Sequence, residues 1–415
     1  MEAVPTSSRW VREANARVVL EHMWDADAVT GSDLMATTGL SRATVHDVCE
    51  ELIDRGWVRE VENQRQHGGY RKGRPARRYA FDPRAGVVVG VDAGQHRVSA
   101  TVTDLRGEAC GRAAHPTGGG RPPSGERQEI VSRTVLDALA SVPGGSSPGV
   151  LAVAVGVPAP VAGASRTGFG GNEYWERMNP DLAAHLGQRY GWTVLVDNDA
   201  NLAALAEGWR GHGQGVRSHV TLLAGERLGA GVVDDGRLLR GAHGGAGEMR
   251  YLALVDGVGS AAGIAALARD WARAALADPA GTTPSALRDL DPAAVDAEAV
   301  FAAARAADPL ATDVVRRVGR RMARVVATLA SVVDTEQVVI AGRVAASCGP
   351  IVDIVTRELP LYFDDVRPRV LASRLGGEVV VLGAVKAALD HVRRHALATV
   401  LPGTGLPRPG DRTGC

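Results

Sequence analysis

The chain has 415 residues, more than one hydrophobic core ordinarily holds, so two or three folding units are expected. Hydrophobic residues make up 45% and charged residues 23%, the balance of a globular protein and not of a disordered or fibrous one. Formal net charge is zero, which would argue against a nucleic-acid partner were the charge evenly spread, but seven basic residues (Arg65, Arg71, Lys72, Arg74, Arg77, Arg78 and Arg84) stand against Asp82 alone between Arg65 and Arg84. Cys49, Cys110, Cys348 and Cys415 form no CxxC pair, so neither a disulfide framework nor a zinc cluster is readable. There is no basic-then-apolar leader and no apolar run of the roughly 18 residues needed to span a bilayer, so a soluble, cytoplasmic chain without a membrane partner is expected.

In chain order, residues from about Arg9 to Tyr79 read as three helices and a wing. The first helix, Arg9 to Trp24, sets apolar Ala14, Val18 and Val19 against a polar face at Arg12, Glu13 and Arg17. A short second helix begins near Thr30, where Thr30 and Asp33 have capping-box spacing, and ends around Thr37. Gly39 suits the positive φ of a tight turn, and Ser41 can cap the third helix. There Val45, Val48, Cys49, Leu52 and Ile53 fall on one stripe, leaving Arg42, Ala43, His46, Asp47 and Glu50 outward. Ser41, Arg42, Ala43, Thr44 and His46 are where a recognition helix would meet base edges. A hairpin starts at Gly56-Trp57-Val58 and returns through Arg77 to Phe81. Its tip carries Arg71, Lys72 and Arg74, the last able to enter a minor groove while the other two meet phosphates. A helix pair with a Gly turn often only packs, and a charge run is usually a solvated face. Helix pair, N-terminal position and basic wing together favour binding to double-stranded operator DNA.

From Gly86 the pattern becomes α/β. Val87 to Val91 and Arg97 to Thr103 read as a hairpin with Asp92 at the end of its first strand, closed by the turn Asp104 to Gly107. A helix follows from about Gln128 to Leu139, then a buried strand from Val150 to Val157. Val194 to Val196 forms a strand, Asp197-Asn198-Asp199-Ala200-Asn201 a polar corner, and Leu202 to Trp209 an Ala-rich helix. After the strand Ser218 to Leu223 come the loop Gly225 to Gly231 and the corner Gly244 to Glu248. The helix from about Ala311 to Val333 has a stripe at Val314, Val315, Val318, Met322, Val325 and Val326, fit for core packing or for dimerisation. Asp197, Asn198 or Asp199 can either cap the next helix or act on a ligand.

These blocks, with Val338 to Arg343 and Leu382-Gly383-Ala384, resemble the ROK family of repressors, open reading frames and kinases, in family order and over most of the chain. The resemblance implies a winged helix-turn-helix (α+β) domain at 1–84, then a two-lobed α/β actin-like, ribonuclease H-like sugar-kinase core at 85–400. The first lobe is placed at about 85–205 plus the C-terminal helix and the second at about 206–380, with a Pro- and Gly-rich tail, 401–415, expected to be disordered. It also implies that Asp199 corresponds to the kinases' general base, with Asn198, Glu248 and Tyr251 as further sugar contacts, although Tyr251 could simply fill space.

Departures from the kinase pattern point to binding without turnover. The first phosphate loop retains Asp92 and Gly94 but has Gln95 and His96 where the family has Gly-Thr. The second, from Gly225, has Glu226 for Thr and Arg227 for Gly, so a glutamate facing the phosphates would repel them. The family's zinc loop has no counterpart, because the stretch after Glu248 to Ile264 lacks cysteine. Zinc, ATP and magnesium are therefore expected to be absent. Asp199 would be a vestigial base in a non-enzyme. The expected function is a DNA-binding regulator, a repressor, sensing a sugar or sugar derivative as a homodimer or homotetramer. The alternatives are an ATP-dependent, glucokinase-like sugar kinase with an appended DNA-binding domain, and a regulator signalled by a partner protein.

Overall fold

The computed structural model describes residues 8–61, 77–118, 123–143, 149–162, 166–167 and 172–401. The headpiece comprises α1 (Ser8–Trp24), β1 (Val29–Thr30), α2 (Gly31–Thr38), α3 (Arg42–Asp54), β2 (Val58–Val61) and β3 (Arg78–Phe81). Local chemistry sets its punctuation. Thr30 and Asp33 form the capping box of α2, Gly39 closes it at φ 71°, and the Ser41 side chain accepts from the Thr44 amide at the start of α3. The expected wing is a three-stranded sheet in which β3 lies between β2 and the two-residue β1. The apolar face of α1 differs from expectation: Val18 is 50% exposed, while Ala16, Val19, Leu20, Met23 and Trp24 are buried. Trp24, packed against Phe81 at 4.3 Å between ring centroids and against Trp57 at 6.0 Å, turns that face inward.

The first lobe holds β4 (Val87–Ala93), β5 (Arg97–Thr103), β6 (Ala109–Pro116), α4 (Ser124–Ala140), β7 (Val150–Val157), the short pair β8 (Val161–Ala162) and β9 (Arg166–Thr167), α5 (Glu173–Met178), α6 (Leu182–Tyr190), β10 (Val194–Asn198) and α7 (Asp199–Arg210). The second holds β11 (His219–Ala224), β12 (Leu228–Asp234), β13 (Arg237–Leu239), α8 (Ile264–Ala277), α9 (Ala297–Arg305), α10 (Pro309–Val333), β14 (Gln337–Ala341), α11 (Gly349–Glu358) and β15 (Arg369–Ala372). The sheet orders are β10-β7-β4-β5-β6 and β13-β12-β11-β14-β15. Each is an antiparallel three-strand meander followed by two parallel strands on the side of its first strand, so the two lobes repeat one topology. Every stripe residue of α10 is buried in the second lobe's own core, which settles its role as packing.

The last helix, α12 (Val379–His395), returns to the first lobe and packs on β4, β7 and α7. Its approach to α7 is so close that a Cβ on Gly383 would lie 1.8 Å from the Leu202 carbonyl oxygen, so only glycine fits. The far end of α12 and the segment after it belong to one hydrophobic cluster with the headpiece: Leu389, Val392, Ala396 and Leu401 join Trp24, Trp57 and Phe81. Arg55 adds a hydrogen bond to the Leu397 carbonyl at 2.9 Å, and Arg106 one to the Ala26 carbonyl. Headpiece and core therefore share a core instead of meeting through a bare linker.

Candidate ligand cleft and nucleic-acid interface

The polar corner forms where β10, running parallel to β7, passes directly into α7. The helix begins three residues earlier than the sequence pattern indicates, at Asp199 and not Leu202, because Asn198 is its N-cap and accepts from the Ala200 and Asn201 amides at 2.9 and 3.2 Å. Asn198 Nδ2 donates to the Ala159 carbonyl at 3.2 Å, so most of this side chain is committed to structure. Asp197 is equally engaged: Oδ1 accepts from the Asn198 amide and from Asn201 Nδ2, and Oδ2 from Arg240 at 2.7 Å. With capping and bracing taken by its neighbours, the Asp199 carboxylate accepts from the Ala200 amide at 2.8 Å and lies within electrostatic reach of Asp92 and Glu248.

Three carboxylates converge there. Burial raises Asp199 to about 8, and the negative charges of Asp92 and Glu248 add to the shift. Asp92, at the end of β4, is raised to about 7 by burial, with Glu378 adding to the rise and Arg127, Arg343 and Arg97 opposing it. Glu248 is also raised by burial, moderated by Arg227 and Arg250. Its turn is pinned on β12, since Gly247 has φ 81° and a Cβ there would meet the Ala230 carbonyl oxygen at 1.8 Å. Tyr251, on the 3-10 turn after Glu248, is 65% exposed with the Arg250 guanidinium 5.0 Å from its ring centre, the least enclosed of the expected ligand contacts.

Two buried arginines missed by the sequence reading hold the walls. Arg127 of α4, fully buried, donates to the carbonyls of Ala93, Gly94 and Met178 and fixes the loop after Asp92; burial pulls it down to about 10. Arg321 of α10 donates to the carbonyls of Val258, Ser260 and Ala262 in the other lobe. Each sits at an apolar-stripe position of its helix, which was the available signal.

The phosphate-loop residues sit differently from expectation. Glu226 does not present a bare charge to the cleft: both its oxygens accept from Arg269 of α8, at 2.7 and 3.0 Å, so the expected repulsion is largely neutralised. The loop is closed from behind instead, with the Gly263 and Ala265 amides bonded to the Glu226 and Gly225 carbonyls and Arg227 bridged to Ala262. Gln95 takes the Tyr174 hydroxyl on Oε1 at 3.2 Å. Between the lobes beside Asp92, a cavity of about 260 Å³ is lined by Asp92, Arg97, Ser99, Arg343, Gly377 and Glu378. No residue from Met249 to Ile264 is Cys or His, so that stretch does not fit zinc.

In the headpiece, α3 leaves Arg42, Ala43 and His46 exposed and Thr44 half-buried. Arg77 ties the base of the wing to α3 by donating to Glu50 at 2.8 Å, a contact unreadable from the sequence. Arg71, Lys72 and Arg74 lie outside the described residues. Among the described residues no helix is long and apolar enough to cross a membrane.

Residues 88–390 match the ROK family and residues 16–62 the IclR helix-turn-helix domain. The chain is 28% identical to the xylose repressor of Caldicellulosiruptor bescii over 249 residues, 58% of this chain and 59% of that one, so the match spans about three fifths of the repressor's length. It is 29% identical to the glucokinase of Streptomyces coelicolor over 326 residues, 74% of this chain and 98% of that one. A crystal structure of a ROK family transcriptional regulator, homologous to the E. coli MLC protein, superposes with a TM-score of 0.73 over 95% of this chain and 100% of its own, at 22% identity, which establishes a shared fold. The ROK glucokinase of Streptomyces griseus, in complex with glucose and AMPPNP, superposes at 0.63 over 74% of this chain and 100% of its own, at 27% identity. The chain is a member of the ROK family carrying an N-terminal helix-turn-helix domain.

Proposed function

We propose that this protein is a DNA-binding transcriptional repressor whose cleft binds a sugar or sugar derivative without phosphorylating it. The observation that carries this reading is mechanical continuity: Asp199 opens α7, α7 packs on α12, and α12 shares a hydrophobic core with the DNA-binding headpiece. Ligand contacts at the carboxylate cluster that differ between open and closed lobes would then move α1 and with it α3. In a homodimer or homotetramer, small displacements of two such headpieces would break simultaneous contact with both half-sites of a palindromic operator.

Loss of turnover is supported by Gln95 and His96 standing where the family's first phosphate loop has Gly-Thr. With its pKa raised to about 8, Asp199 is mostly protonated at neutral pH. In that form it can donate a hydrogen bond to a sugar oxygen, the role of a binding group. The cavity beside Asp92, about 260 Å³, is also below the usual ligand-site range of roughly 300–1,000 Å³. Neither ATP with magnesium nor zinc is part of the proposal, which places the protein in the cytoplasm on operator DNA. A residual kinase is the second reading, favoured by retention of Asp199 at the helix start.

Calorimetric titration with xylose and then glucose, beside a coupled assay for ADP release, tests both. Binding that Asp199→Ala abolishes, without ADP release in the wild type, is expected. Sugar-dependent ATP turnover lost in Asp199→Ala would establish the kinase.

A further inference from the structure

A second cavity lies apart from the carboxylate cleft. It has a volume of about 880 Å³ and lies where headpiece, both lobes and α12 meet. Asp92, Asp199 and Glu248 do not line it; Asp197 does, so the polar corner separates the two spaces. Its apolar wall is built by Leu195 from the first-lobe sheet and Leu205 from α7. Across from these are Arg237 and Arg240 from the β12–β13 hairpin and Arg393 and Arg394 from α12, with Glu21 of α1 completing the ring.

The charges are unequally paired. Arg240 is held by Asp197, Arg393 by Glu21 and Asp25, and Asp390 by Lys386. Arg237 and Arg394 have no carboxylate within 4 Å among the described residues, although both border the space. An apolar wall facing two guanidiniums free of acid partners is complementary to one kind of molecule. We propose that this junction is a second ligand site, distinct from the sugar cleft, that takes a small organic anion with an apolar body. It does not depend on the sugar reading. Because its wall includes α1 and the second-lobe hairpin, an occupant would touch the headpiece and both lobes at once.

Fluorescence titration of the full-length protein with anilinonaphthalene sulfonate, an aromatic anion of this class, tests the site. Saturable binding of one dye per chain is expected, weakened by about tenfold or more in the double variant Arg237→Glu/Arg394→Glu, whose exposed side chains leave the fold intact. Leu195→Trp, which fills the cavity without changing charge, should weaken it comparably, and Asp199→Asn should leave it unchanged. Competition by phenyl phosphate against phenylacetate identifies the preferred head group. Non-saturable dye uptake, equal affinity in the double variant, or loss of binding in Asp199→Asn would each overturn the proposal, the last by assigning the dye to the sugar cleft.

Discussion

Arg393 of α12 reaches Glu21 of α1 with Nε at 2.9 Å and Asp25 with Nη1 at 2.9 Å, so one side chain of the core clamps two carboxylates on the first helix of the headpiece. Its guanidinium also lies 5.7 Å from the centre of the Trp24 ring. The clamp is half-exposed, so its energetic worth is modest, but it bears on the helix whose position determines where α3 points.

Arg393→Ala is therefore expected to lower stability by only about 1 kcal/mol in denaturant titration. Sugar affinity should stay the same while the change in operator affinity on adding sugar shrinks. Equal loss of sugar affinity would show that Arg393 acts on the cleft itself.

Trp57 is fully buried between Trp24 and Phe81, and that cluster continues into α12. Trp57→Ala should cost about 3–5 kcal/mol. Because the core is shared, wild-type unfolding by circular dichroism and by tryptophan fluorescence should give coincident transitions. An early, separate headpiece transition in the wild type would contradict the shared core.

Asp199, with an ordinary value of 3.8 and raised to about 8, holds its proton in the folded state over a range where the unfolded chain has released it. The unfolded state then binds fewer protons, so this group's contribution to stability falls as pH rises from about 4 to about 8 and levels off above. Asp199→Asn removes that loss. Its Tm should approach the wild-type value near pH 5 and exceed it by a growing margin up to about pH 8; a margin independent of pH would refute the buried-carboxylate account.

Arg127→Met leaves three backbone carbonyls without their donor and should cost about 3 kcal/mol or more in urea unfolding. It also removes the positive charge that opposes the upward shift of Asp92, so the Asp92 carboxyl, followed by carbon-13 NMR, should titrate higher still.

What was legible in the sequence was whatever is decided locally. The stripe on α3, the Thr30–Asp33 capping box, Gly39 and the central strands follow from periodicity and turn chemistry within a few residues. Long-range packing was not legible. The sequence pattern groups Val18 with Ala14 and Val19 on one apolar stripe, whereas the face of α1 is fixed by Trp57 before β2, by Tyr79 and Phe81 of β3 and by α12. The two residues of β1 are too few to show a period, and β6, Ala-Cys-Gly-Arg-Ala-Ala-His-Pro, has little alternation. At the site, Asp199 and Glu248 were readable as residue types in family order, but the division of labour among Asp197, Asn198 and Asp199 depends on which backbone amides each reaches. The partner that neutralises Glu226 is Arg269, whose proximity only the fold creates.

The central claim, that the headpiece reads specific operators under control of the cleft, is tested most directly by incubating the full-length protein with sheared genomic DNA at physiological salt, with and without xylose or glucose, and sequencing what is retained. A few sharp sites whose occupancy falls when the sugar is added are predicted. Diffuse retention that disappears with modest salt and ignores the sugar would contradict the account.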